Sequence, residues 1–115
     1  MSDWLKKSCQ ACEGGVEALS EELVLEFLKT IPGWDYKDER LSRKFDFKNH
    51  YEAISFVNAV AWISHTENHH PIMEVGFRDV TIYYWTHAID GISDNDFICA
   101  AKVNSLVDKI GRAHV

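Results

Sequence analysis

The sequence predicts an α+β domain, a four-stranded antiparallel sheet with three helices packed on one face, in the order α-β-β-α-β-β-α. Two observations carry that expectation. Segments with helical periodicity alternate along the chain with segments whose apolar residues recur at every second position, and the strands arrive as two local pairs. Strands that are neighbours in sequence pair as hairpins, and helices interleaved with hairpins pack economically on one side of the resulting sheet.

The first helix is announced by Ser20 as N-cap, with Glu21 and Glu22 at its electropositive end and Leu19 and Val24 at staple spacing. Leu23, Phe27 and Ile31 are expected on its apolar stripe, and Pro32-Gly33 ends it. A first strand follows at Trp34-Asp35-Tyr36, then a polar turn at Lys37-Asp38-Glu39. Leu41, Arg43, Phe45 and Phe47 alternate with Ser42, Lys44 and Asp46, as in a strand with one wet face. From about Asn49 to Thr66 the period becomes helical. Tyr51, Ile54, Val57 and Ala61 form one apolar stripe, with Phe56, Val60 and Ile63 beside it. The second hairpin runs from Ile72 to Phe77 and from Val80 to Thr86, with Arg78-Asp79 as a possible two-residue turn of poor primed-turn chemistry. The last helix starts at Ser93, carries Asp94 and Asp96 in its first turn and Lys109 near its end, and buries Phe97, Ala100, Val103, Val107 and Ile110. Residues 1–18, which include Gly14-Gly15, read as a flexible N-terminal arm, and residues 19–112 as a single domain.

At 115 residues, with 46% hydrophobic and 26% charged residues, the chain holds one core. Its formal net charge of −6 lacks the basic excess that a nucleic-acid binder uses to displace counterions. No apolar run approaches the ~20 residues of a membrane span, and the N-terminal residues do not form a secretory h-region. A soluble, cytoplasmic protein is expected. Three cysteines, Cys9, Cys12 and Cys99, fit a reducing compartment. Cys9-Gln10-Ala11-Cys12 has the spacing of half a zinc site, but no second pair follows nearby, so no metal is expected. Cys99 lies among apolar neighbours, where an inert buried thiol is the plainer reading.

Chemistry concentrates in the histidines. His69 and His70 precede the first strand of the second hairpin and His87 follows its second. If Arg78-Asp79 is the loop, Phe77 faces Val80, and extending that register places His70 opposite His87, with facing Cβ atoms ~5 Å apart. Val80, Ile82 and Tyr84 suit the helix-covered face, which leaves His87 with Trp85 and Tyr83 on the other. An exposed aromatic row there argues for an oligomer. Clustered imidazoles supply both a proton donor and a proton acceptor near neutral pH, which suits elimination, hydration or tautomerisation. On residue types alone a structural reading stands beside this one, with His70 satisfied by a backbone carbonyl and His87 capping a strand. His50 falls in the first turn of the central helix, and His65 lies one turn before His69, near enough to tune the site. Serine-nucleophile elbows and phosphate loops are absent.

His69-His70-Pro71, the hairpin ending Trp85-Thr86-His87, then Gly91 and Asp96-Phe97-Ile98, together with Pro32-Gly33-Trp34 and Phe45-Asp46-Phe47-Lys48-Asn49, resemble the pterin-4a-carbinolamine dehydratases over roughly residues 20 to 110. The likeness is to the bacterial branch, whose members can carry an N-terminal Cys-x-x-Cys. The resemblance implies dimers or tetramers and a cofactor-free dehydration of 4a-hydroxytetrahydropterin, released by aromatic amino acid hydroxylases, to quinonoid dihydropterin and water. It implies His69, His70 and His87 as catalytic residues, with His69 and His87 as the acid and base and His70 mainly positioning the pterin. His70, Trp85 and Asp96 would bind substrate, Asp96 matching the family's aspartate while its helix-start position also allows a structural role. The chain departs from the family at His65, where a glutamate is usual; Glu67 is a substitute on a different helix face. The alternative function is a non-enzymatic regulator that binds a hydroxylase or a transcription factor.

Overall fold

The computed structural model describes residues 3–10 and 17–112, with side chains through Asp108. Its elements are α1 (Glu21–Leu28), β1 (Asp35–Lys37), β2 (Arg40–Asp46), α2 (His50–Glu67), β3 (Ile72–Val75), β4 (Asp79–Tyr84) and α3 (Asp94–Arg112), with 3-10 turns at Trp4–Lys6 and His87–Ile89. The sheet is antiparallel throughout, in the order β1-β2-β4-β3. This is the predicted α-β-β-α-β-β-α arrangement. The readings at Cys12, Gly14 and Gly15, and for the side chains of Lys109 and Ile110, lie outside the described residues. No described helix is long and apolar enough to cross a membrane.

The two-residue period assigns the sheet's faces correctly. Leu41 and Phe45 of β2 and Val80, Ile82 and Tyr84 of β4 are buried in the core, while the residues between them are not. The helices show where a periodicity has more than one solution. Ser20 caps α1, its Oγ accepting from the Leu23 N–H at 3.2 Å. The inward stripe, however, is Val24, Phe27, Leu28 and Ile31, and Leu23 stays 38% exposed. On α2 the buried residues are Ala53, Phe56 and Val60, with Val57 and Ile63 beside them. Tyr51 and Trp62 remain 81% and 68% exposed. A helix with apolar residues over most of its circumference does not reveal by spacing which stripe meets the sheet. Phe56 decides it by packing against Phe45 and Phe47, with ring centroids 4.8 and 5.0 Å away.

The turns set the registers. Asp38 and Glu39 both adopt the left-handed conformation (φ 54° and 61°) between the paired Lys37 and Arg40, the geometry a tight two-residue hairpin requires. In the second hairpin Val75, not Phe77, faces Val80, so the loop is Phe77-Arg78 and the register differs by two residues from the expected one. Asp79 belongs to β4, where it pairs with Asp46, and its carbonyl accepts from the Gly76 N–H at 2.8 Å. His50 fastens the loop, with Nδ1 2.9 Å from the Phe77 carbonyl and its ring stacked on that of Phe77. A shift of two preserves which side chains face the core, so the faces stand although the rows do not.

Residues 3–10, in the stretch expected to be a loose arm, pack on the domain. Trp4 is 3% exposed, its Nε1–H donates to Thr30 Oγ1 at 2.8 Å, and its ring contacts Phe27 and Phe97. Further along, the Cys9 N–H donates to Glu67 Oε1 at 2.8 Å, and Glu67 Oε2 meets Lys102 Nζ at 2.7 Å. An indole that fills a core position overrides the low order that composition suggests for a terminus.

Trp4→Ala should therefore destabilise the protein by ~3 kcal/mol, as for a large aromatic removed from a core, measured by urea denaturation; a loose arm would give a change within about 0.5 kcal/mol. Burial acts to raise the Glu67 carboxyl, but its hydrogen bonds to Lys102 and the Cys9 N–H outweigh that and hold it below the ordinary carboxylate range. The stability it contributes should be complete above the ordinary value of 4.5 and fade as pH falls through the lower folded-state value. Glu67→Gln should cost about 1–2 kcal/mol at pH 7, and the gap to wild type should close in denaturation curves taken at progressively lower pH.

Candidate functional site

The site is built where α2 ends, β4 ends and α3 begins. Asn68 closes α2 in the left-handed conformation (φ 53°), and the His69 N–H returns to the Ser64 carbonyl at 3.1 Å, so His69 leaves the helix at a fixed angle. Past β4 the chain folds back on itself. Thr86 and Gly91 exchange backbone hydrogen bonds of 2.8 and 3.3 Å around the turn that carries His87, with Asp90 in the left-handed region.

Asp96 joins these segments. Its side chain is fully buried. Oδ1 lies 2.6 Å from His69 Nε2, and Oδ2 accepts from Thr86 Oγ1 at 2.8 Å and from the Ser93 N–H at 2.9 Å. Ser93 Oγ accepts from the Asn95 N–H at 3.3 Å and lies 2.6 Å from Thr86 Oγ1. Ser93 and Asp96 thus form a reciprocal capping box, with an aspartate at the third helical position reaching back to the N-cap amide. The carboxylate is a helix cap with one oxygen and the anchor of His69 with the other. An ionised Asp96 accepts the Nε2–H of His69, which leaves Nδ1 as the acceptor of a neutral ring. The same ring stacks on Tyr84 with centroids 5.8 Å apart and planes nearly parallel, and is 11% exposed.

His70 and His87 are exposed, and their rings stand 5.7 Å apart. They do not meet as a facing pair in the ladder, because β3 begins only at Ile72 and the register is shifted. The His87 turn brings the rings together. Trp85 lies beside His87 at 4.3 Å, with the Arg40 guanidinium 4.1 Å over its indole. The aromatic row expected to be bare is therefore partly engaged, and the Tyr83 hydroxyl donates to Glu74 at 2.8 Å. His65 is exposed and lies against Trp62 at 5.4 Å. Glu67 is held by Lys102 and the Cys9 amide, so neither residue shows a contact with the three histidines.

A cleft of about 300 Å³ opens over the cluster, lined by His69, His70, His87, Thr86, Asn68, Asn95 and two further residues, Gln10 and Ala88. That is the scale of a small-ligand site. Asn95, Asn68 and Gln10 escape the sequence reading, since only the fold brings residues 10, 68 and 95 together. Thr86 could have been found, because an uncharged hydroxyl in a run of inward-facing residues needs a polar partner. Among the described residues no group of three or more side chains is placed to hold a metal ion.

The family model for pterin 4 alpha carbinolamine dehydratase matches residues 17–106. The chain belongs to the pterin 4 alpha carbinolamine dehydratase family. It is 52% identical over 102 residues to a protein of Dechloromonas aromatica provisionally named pterin-4-alpha-carbinolamine dehydratase, covering 89% of this chain and 91% of that one. A relative of the same provisional name from Nitrosomonas eutropha is 52% identical over 106 residues, covering 91% and 94%. The crystal structure of a transcriptional coactivator/pterin dehydratase from Brucella melitensis superimposes with a TM-score of 0.75 at 28% identity, over 78% of this chain and 98% of that one. In this member of the dehydratase family, the three histidines quoted for the resemblance line one cleft.

Asp96→Asn should move the His69 proton. Nitrogen chemical shifts of the imidazole should show Nε2–H in the wild type and a shift toward Nδ1–H in the variant if the carboxamide nitrogen turns toward the ring. Asp96→Ala, which leaves the Thr86 hydroxyl and Ser93 amide buried without an acceptor, should cost ~3 kcal/mol in thermal or urea denaturation.

Proposed function

We propose that the protein is a hydro-lyase that dehydrates 4a-hydroxytetrahydropterin to quinonoid dihydropterin and water, with His69, His70 and His87 as the catalytic set. The observation that carries the reading is the convergence of those three imidazoles on one cleft, one of them anchored by a buried carboxylate. The substrate carries a hydroxyl on C4a and a proton on N5. Loss of water requires protonation of the departing hydroxyl, cleavage of the C4a–O bond and removal of the N5 proton, whose bonding pair becomes the C4a=N5 double bond.

Each step has a candidate group. His69, with its Nε2–H committed to Asp96, offers Nδ1 to take the N5 proton. His87, exposed beside Trp85, donates to the hydroxyl as an imidazolium. His70 stands across from His87 and holds the ring, and Trp85 borders it. Asp96 acts through His69 as a positioning residue, so its part in substrate binding is indirect. The chemistry calls for no resident metal or organic cofactor, because the elimination is redox-neutral and its C4a–O cleavage is carried by the two proton transfers. An aromatic amino acid hydroxylase that releases the carbinolamine is the partner this reaction requires.

The protein works as a homodimer or homotetramer on this reading. Support comes from large apolar side chains left exposed on two faces, Tyr51 and Trp62 on α2, and Ile72, Val75 and Phe77 along the β3 edge. A second reading, a protein-binding regulator, is favoured by the coactivator name of the Brucella structure.

The test generates the carbinolamine in situ and follows its dehydration by ultraviolet absorbance, on protein whose oligomeric state is set by light scattering. His69→Ala and His87→Ala should each slow the catalysed rate by about 100-fold or more, and His70→Ala should act mainly on KM. Folded wild-type protein that gives no acceleration would overturn the enzymatic reading in favour of the regulator, and a monomer by light scattering would overturn the oligomer.

A further inference from the structure

We infer that Cys9 and Cys99 form a redox-responsive pair, whose disulfide pins the N-terminal segment to α3 at the edge of the histidine cleft. Their sulfurs lie 3.6 Å apart although 90 positions separate them in the chain. Cys99 is fully buried on α3 and Cys9 is half-buried, so one thiol of the pair can be approached from outside and the other cannot. The segment around Cys9 is held in register by polar contacts on both sides. The Cys9 N–H donates to Glu67 and its Sγ approaches the Asn95 carbonyl at 3.6 Å. The Asn95 carboxamide pairs with both backbone groups of Gln10, accepting from N–H at 3.0 Å and donating to the carbonyl at 2.6 Å. Gln10, the next residue, lines the cleft. A bond at Cys9 therefore fixes a wall of the site without touching a histidine.

The two thiols are unequal. The hydrogen bond with Cys9 and burial both push the Cys99 thiol well above its ordinary range, so Cys99 stays protonated and Cys9 reacts first. The oxidant is a small disulfide such as oxidised glutathione. The Cys9 thiolate attacks one of its sulfurs, expels one glutathione thiolate and forms a mixed disulfide. Cys99 then attacks the Cys9 sulfur, its proton passing to the departing second glutathione thiolate. Two protein thiols are oxidised to one disulfide and one glutathione disulfide is reduced to two thiols. In a reducing environment the pair returns to thiols and the segment is held by its hydrogen bonds and by the packing of Trp4.

The inference stands apart from the proposed reaction, and its test needs no substrate. Full-length wild-type protein and Cys12→Ser, which removes the competing thiol, are equilibrated with oxidised glutathione and mapped by non-reducing peptide mass spectrometry. A Cys9–Cys99 cross-link is expected in both and is lost in Cys9→Ser. Hydrogen exchange of the Cys9 and Gln10 amides, which donate to Glu67 and Asn95, should slow severalfold in the oxidised protein and recover on reduction. A Cys9–Cys12 bond in the wild type, Cys9 found only as its glutathione adduct in Cys12→Ser, or exchange unchanged by oxidation would each overturn it.

Discussion

A buried carboxylate has to be matched by donors, and in this protein the matching of Asp96 organises everything around it. A charge removed from water costs several kcal/mol unless hydrogen bonds compensate. Asp96 is compensated from three directions, by His69 after α2, by Thr86 after β4, and by the Ser93 amide at the head of α3. Three segments that share no local sequence are thus required to meet at one point. The resulting junction is polar in its interior and lies at the end of the sheet, where the ladder has run out and side chains are free to point into a cleft.

That constraint also separates the histidines by environment. His69 is clamped between the Asp96 carboxylate and the face of Tyr84, so its orientation is set by the fold. His70 and His87 are exposed with their rings 5.7 Å apart, His87 lies beside Trp85, and among the described residues no buried carboxylate anchors either ring. Identical residue types thereby acquire different surroundings from the fold alone, one imidazole held against a buried carboxylate and two open to solvent.

Much of this was legible in the sequence, to different depths. Element order, the faces of β2 and β4 and the caps at Ser20 and Ser93 follow from local periodicity and local hydrogen bonding, and the structure carries them. Register is set by turn geometry, and Phe77-Arg78 has no residue that announces its turn, so the hairpin lies two residues from the expected pairing. Which stripe of α1 or α2 is buried depends on what packs against it, and neither Leu23 nor Tyr51 differs in type from the residues that are buried. Asp96 could be placed at a helix start, but its second oxygen could be assigned only once Thr86 and His69 were known to lie beside it. Trp4 was the clearest signal passed over, since an indole near a terminus has a large apolar surface that gains from burial.

Residues 3–10 bear on the site through the same logic. A cleft lined from positions 10, 68–70, 86–88 and 95 has walls that no single element supports. Three of those walls are tied together by Asp96 and its donors. The fourth, at Gln10, is tied instead by the Asn95 carboxamide, by Glu67 through the Cys9 amide, and by Trp4 wedged against Phe27 and Phe97. Asn95 and Asp96 are adjacent on α3, so the first turn of that helix holds the histidine side of the cleft with one residue and the N-terminal side with the next. A change in the packing of α3 should therefore reach every wall, whereas a change in the segment around Cys9 reaches only one, and the dimensions of the cleft can be adjusted there without disturbing the imidazoles.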